Sequence, residues 1–177
     1  MGALIGIAAG ALLLTVVFRG NAVTNTNTDN TGPELRYFEP EEFGPWWDKM
    51  SPELLRKLDA FRHEWGAPVR VSPADGGIGR HQGSEGASQH NIDRWGQVRA
   101  VDVFPMVPAG GAGYRYMRTA TDRRRAYEIA QRVGFTGIGL YTDTTPGNML
   151  HVDVRPGPAV ATWSRVSGEY MGIGLVV

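Results

Sequence analysis

Apolar residues recur in three rhythms along the chain. Ala3 to Phe18 (ALIGIAAGALLLTVVF) is one unbroken apolar run, with Thr15 as its one strongly polar side chain. Together with its neighbours it approaches the roughly 18 to 20 residues that a helix needs to cross a bilayer. Residues 1–20 are therefore expected to form a transmembrane anchor. A cleaved signal peptide is the alternative, but no Lys or Arg precedes the run, and a signal peptide needs a basic start. Asn21 to Gly32 (NAVTNTNTDNTG) is polar, low in complexity and has nothing to bury. It reads as a flexible linker. A globular domain is expected over 33–177.

Inside that domain the rhythm turns helical and then alternating. Tyr37 to Trp47 mixes aromatics, acids and prolines and reads as an irregular arm. Ser51-Pro52-Glu53 is a helix start: a capping hydroxyl, proline in the first turn and an acid near the positive end. Leu54, Leu55, Leu58, Phe61, Arg62 and Trp65 follow a helical stripe, and Gly66 is the stop. A second helix is expected over Asp122 to Val133, with Ala126, Ile129, Ala130 and Val133 inward. Four segments read as strands: Pro68 to Ser72, Val98 to Phe104, Gly137 to Tyr141 and Met149 to Arg155. Pro73 to Gly86 is glycine-rich and reads as a long loop, a feature often reserved for function. Short strands and two helices without a regular βαβ alternation predict an α+β domain, a small antiparallel sheet with flanking helices.

Composition narrows the chemistry. The chain has 177 residues, 42 % of them apolar, enough for a real core. Lys plus Arg and Asp plus Glu are 18 each, so there is no general attraction to nucleic acid. Cysteine is absent, which excludes disulfides, Cys-based metal sites and thiol nucleophiles. A metal would have to be held by His and carboxylate, and the histidines are His63, His81, His90 and His151.

Three segments put such ligands on rigid elements or their edges: Ser88-Gln89-His90, Ala100-Val101-Asp102 and His151-Val152-Asp153. Catalytic zinc takes three protein ligands and leaves a fourth position for water. On a strand, His151 and Asp153 share a face, so one can bind metal while the other works beside it. Asp102, between Val101 and Val103, must face water, a partner or a metal. The residues alone leave two readings open, a metal site or ordinary polar residues on a solvent face.

The order S-x-H, A-x-D on a strand, then H-x-D-x-R after a GIG-Y segment resembles the D-Ala-D-Ala peptidases of the Hedgehog/DD-peptidase zinc fold, which include murein endopeptidases and phage endolysins. YFEPEEF, SPELLRKLDAFRHEWGAPVRV, SQH, AVDVF, GFTGIGLY and LHVDVR occur in the expected order, from about Tyr37 to Trp163. The resemblance implies that His90, Asp102 and His151 bind Zn2+ and that the substrate is the stem peptide of peptidoglycan. There are departures. Asn91 to Val101 make the interval between the first His and the Asp longer than in relatives, and Asp93 there is a rival ligand. Many relatives carry an acid three residues before the last His, where this chain has Asn148. Asp153 is the expected substitute as general base, with Asp143 second. Relatives also carry an arginine after the first strand that holds substrate or the developing oxyanion. Here Ser72-Pro73-Ala74-Asp75 stands in its place, and Arg80 or His81 in the following loop is the expected cation.

The expectation is thus a membrane-anchored zinc peptidase of the cell envelope, facing the periplasm or wall. Arg19, just after the apolar run, favours the opposite orientation, a conflict that the membrane of a phage particle would remove. The alternative is a degenerate wall-binding or virion structural module without catalysis.

Overall fold

The computed structural model describes residues 33–177. Among them the helix-start and helix-stop signals act as expected. Helix α1 (Pro52–Trp65) begins at Ser51, whose side chain accepts a hydrogen bond from the Leu54 N–H, and ends at left-handed Gly66. Leu54, Leu55, Leu58, Phe61 and Trp65 are all buried. Arg62 lies on the same stripe but is half-buried, its guanidinium 4.7 Å above the Phe38 ring. A four-residue helix α2 (Ile92–Trp95) occupies the lengthened interval between His90 and Asp102, capped by the Asn91 side chain. Helix α3 (Ala120–Arg132) starts two residues earlier than expected, because Thr119 and Asp122 form a reciprocal capping box. The arm ahead of α1 is a 3-10 segment (Pro40–Lys49) broken at Gly44, and it drives Phe43 into the core.

The strands are β1 (Val69–Val71), β2 (Ala100–Pro108), β3 (Tyr114–Tyr116), β4 (Gly137–Tyr141), β5 (Met149–Asp153), β6 (Ala161–Val166) and β7 (Glu169–Met171). They form one seven-stranded sheet in the order β1-β2-β5-β4-β6-β7, with β3 also on β2. This corrects the expectation of a small antiparallel sheet: the domain is α+β, but the sheet is mixed. After β5 the chain swings past the end of β4 and lays β6 parallel along its outer edge. Neither β6 nor β7 announces itself, since both are half-exposed and lack a clean apolar alternation. The other half of the fold expectation, an N-terminal transmembrane helix, falls outside the described residues, as does the linker to residue 32. Among the described residues no helix is long and apolar enough to cross a membrane.

The strand period of two divides the sheet. Val101, Val103, Leu150, Val152, Ile138 and Leu140 point to one face and are fully buried, in one core with the inward side chains of α1 and α3. The opposite face carries the polar residues considered next.

Candidate metal centre

Register builds the site. Asp102 on β2 lies directly opposite His151 on β5, His151 opposite Gly139 on β4, and Gly139 opposite Trp163 on β6. One row across four strands therefore reads Asp102, His151, Gly139, Trp163. The missing side chain at Gly139 makes room for the indole. A Cβ there would sit 2.5 Å from Trp163 Cε2, and the indole centroid lies 5.0 Å from that of His151. The row on one side holds Met149, Tyr141 and Arg165, with Tyr170 beyond. The row on the other side holds Ala100, Asp153, Gly137 and Ala161. Its small residues leave a chamber for the Asp153 carboxylate, which fills the space a Gly137 side chain would need.

His90 arrives from outside the sheet and is held by backbone. The Arg80 N–H donates to the His90 carbonyl at 3.0 Å, and the Ile92 N–H donates to the Arg80 carbonyl at 3.1 Å. The Asn91 side chain staples the loop by donating to the Gly83 and Gly86 carbonyls, each at 2.7 Å. Asp102 is fixed by its own backbone, which bonds to Gly77 O and to the Ser72 N–H.

The three side chains converge. His151 Nδ1 is 2.9 Å from Asp102 Oδ1, His90 Nε2 is 3.2 Å from His151 Nδ1, and His90 Nε2 is 3.5 Å from Asp102 Oδ1. The other ring nitrogens are already committed. His90 Nδ1 lies 2.5 Å from the Ile78 carbonyl, which can only accept, so it carries the proton. His151 Nε2 donates to Asp153 Oδ2 at 3.0 Å. When both rings are neutral, as metal binding requires, these bonds select tautomers that turn two nitrogen lone pairs and a carboxylate oxygen onto one point. Such a concentration of lone pairs calls for a cation, and His90, Asp102 and His151 could hold a metal ion.

The same charges shape the titrations. Burial pulls the His151 imidazole down, but hydrogen bonds to Asp102 and Asp153 outweigh it and raise its pKa to about 9. Burial pushes Asp102 up, yet His151 and His90 hold it far below the usual carboxylate range. Asp153 is likewise pushed up by burial and held well down by Arg155 and His151. Tyr141 is raised to about 12, chiefly by burial, so its hydroxyl stays protonated at neutral pH.

The structure brings together some expected residues and separates others. Asp153 is fully buried behind His151 rather than beside the converging atoms. Arg155 Nε lies 2.9 Å from its Oδ1 and Arg155 Nη2 2.5 Å from its Oδ2. Arg80 does line the cleft in front of the cluster, with Nη2 2.7 Å from Ser88 Oγ and a buried, unpartnered Nε. Asp93 instead binds His81 at 2.6 Å and the Gly83 N–H. Asp143 pairs with Arg165 at 3.1 Å. Asn148 accepts from Arg123 Nη1 and donates to the Thr142 carbonyl. The cleft, about 530 Å³, also takes Gln89, Met149, Tyr141, Trp163 and Tyr170 into its walls. Sequence reading gave none of these a role. The period of β4 and β5 was the available signal for Tyr141 and Met149; nothing pointed to Trp163 or Tyr170. Comparison with family models, with curated proteins and with solved structures gave no match to this chain.

Proposed function

We propose that the domain is a zinc-dependent peptidase that cuts peptide bonds of bacterial peptidoglycan. The observation that carries this reading is the convergence of His90 Nε2, His151 Nδ1 and Asp102 Oδ1, each aimed by a partner on its far side or by its backbone. A tetrahedral zinc with bonds of about 2.0–2.1 Å spaces its donor atoms about 3.3 Å apart. The separations of 2.9, 3.2 and 3.5 Å bracket that spacing. Two imidazoles and one carboxylate also suit zinc better than magnesium or calcium, which prefer all-oxygen shells. The resemblance of the ordered motifs to those of D-Ala-D-Ala peptidases supports the substrate class, and with it a position facing the wall or within a virus particle.

Bound zinc would activate water and polarise a carbonyl. This chain's own residues do the rest. Asp153, gripped by Arg155, keeps the His151 tautomer and ring angle, a positioning role rather than the base role expected from sequence. Both its oxygens are engaged and it has no exposed surface. Arg80 is the cleft's cation without a carboxylate partner among the described residues, since Arg155 and Arg165 are already paired. It is placed to hold negative charge on the substrate. The Tyr141 hydroxyl accepts from Trp163 Nε1 at 3.1 Å, which leaves its own proton to donate.

One observation favours a second reading, a metal-bearing module that binds wall peptide without cutting it. Among the described residues Asp102 is the one carboxylate lining the cleft, and Met149, two residues before His151 on the same face of β5, cannot serve as a proton acceptor. Digestion of purified peptidoglycan by the metal-loaded protein, followed by mass spectrometry of the fragments with and without chelator, separates the two. New peptide termini that vanish with chelator support the peptidase. Sedimentation with the wall and no fragments supports the binding module. Fragments that persist under chelation refute the zinc mechanism.

A further inference from the structure

We infer that Gln89 is a specificity-determining residue whose carboxamide reads a backbone amide of the bound peptide beside the metal cluster. The inference rests on the reading above for the ligand being a peptide.

Buried polar groups in folded proteins almost always have partners, and each exception calls for an explanation. Among the described residues the buried side-chain atoms without one are Arg62 Nη1, Arg80 Nε and Gln89 Oε1. Two of the three belong to residues in the wall of one cleft, the one that holds His90, Asp102 and His151. Gln89 is 9 % exposed, so water has little access to its carboxamide.

Its placement is not a loose surface excursion. The Gln89 carbonyl accepts from the Arg99 N–H at 2.9 Å, and the turn around it closes with the Asn91 N–H on the Ser88 carbonyl at 3.1 Å. Ser88 Oγ takes both the Arg80 guanidinium at 2.7 Å and the His90 N–H at 3.3 Å. One rigid turn thus carries Gln89 and the ligand His90, and it ties Arg80 to them. A carboxamide offers an acceptor and donors, and the group that answers both at once is another amide, with its N–H and its C=O. A carboxylate offers acceptors alone and would leave Oε1 unmet. The cleft wall therefore fits an internal peptide unit better than a chain terminus.

The test uses the full chain loaded with zinc, a synthetic wall stem peptide, and analogues of it N-methylated at one backbone amide at a time. Each is run against wild type and Gln89→Met, which keeps side-chain length and removes the carboxamide. Cleavage is read as kcat and KM, and binding as Kd by calorimetry, so a protein that binds without cutting is still tested. For wild type, one analogue should lose about 10- to 100-fold in kcat/KM or Kd. In Gln89→Met that analogue and the unmodified peptide should become equal, the loss on unmodified peptide should fall mainly in KM, and Tm should hold or rise. Identical sensitivity to every analogue in both proteins overturns the inference while leaving the peptidase reading intact. So does a drop in Tm with unchanged kinetics, the mark of a purely structural amide. A wild type that neither cuts nor binds the unmodified stem peptide overturns both.

Discussion

Replacing Asp153 by Asn tests whether that residue positions a metal ligand or moves protons. The substitution keeps the shape of the side chain and removes its charge from a fully buried chamber. Two contacts change. His151 Nε2 can still donate to the new amide oxygen, but if the amide turns its NH2 to the ring, the proton is forced onto Nδ1, the atom aimed at the metal. Groups that orient a metal-bound imidazole are typically worth 10- to 100-fold in metal affinity, or about 1.4 to 2.7 kcal/mol. Arg155 also loses its partner. Breaking a fully buried ion pair costs about 3–5 kcal/mol. Arg155 keeps 31 % of its side chain exposed, so it can turn to water, and about 1–2 kcal/mol is the expected stability loss. The assay is competitive titration of metal-free protein with zinc against a chelator of known affinity, alongside thermal unfolding with and without metal. The expected result is weaker zinc binding, a lower Tm, and activity that returns at high zinc. If zinc binding stays within twofold of wild type while turnover disappears at saturating metal, the positioning argument is wrong and Asp153 is the proton acceptor.

Other expectations follow from the same geometry. His151→Ala should abolish metal binding, and zinc at 100 times its Kd should raise wild-type stability by about 2.7 kcal/mol with no rise in the variant; calorimetry with and without chelator reads both. Gly139→Ala should push the Trp163 indole off His151, destabilising the fold by about 1–3 kcal/mol and weakening metal binding, as measured by denaturant unfolding and zinc titration; retention of both would refute the close approach at that row. Asp122, held down to about 2 by Arg115 and by the capping bonds at Thr119 despite some burial, contributes stability that is full above its ordinary pKa near 4 and is lost as pH falls through about 2. Asp122→Asn should therefore cost about 1 kcal/mol at neutral pH, with the gap to wild type closing below pH 4; a constant gap across that range would count against the capping carboxylate.

Local signals were legible where local physics decides. Ser51, Pro52 and Gly66 bound α1 because a capping hydroxyl and a left-handed glycine act on backbone groups a few residues away. The strand reading of Met149 to Arg155 put His151 and Asp153 on one face, and they are. The shared face did not say on which side of the ring the carboxylate lies. Alternation cannot say whether a carboxylate two residues along lies in front of a histidine or behind it, and here Arg155 and the Gly137 gap draw it behind. Arg80 was named for its loop and its charge, and it does line the cleft. Asp93 shows the converse: closeness in sequence to His90 gave it rank, and the helix α2 that carries it turns it to His81.

The sequence by itself determined the boundaries of α1, the apolar face of the central strands, the restriction to His and carboxylate ligands, and the segments that supply them. All of these follow from interactions within a few residues or from composition. Tertiary structure decided which lone pairs meet. Asp102 faces His151 through strand register although the two lie 49 positions apart in the chain, Trp163 reaches the site because β6 crosses to lie parallel to β4, and the free nitrogen of His90 is chosen by the Ile78 carbonyl, 12 positions away. Register and crossover depend on how whole strands pack, and no short window of sequence contains that information.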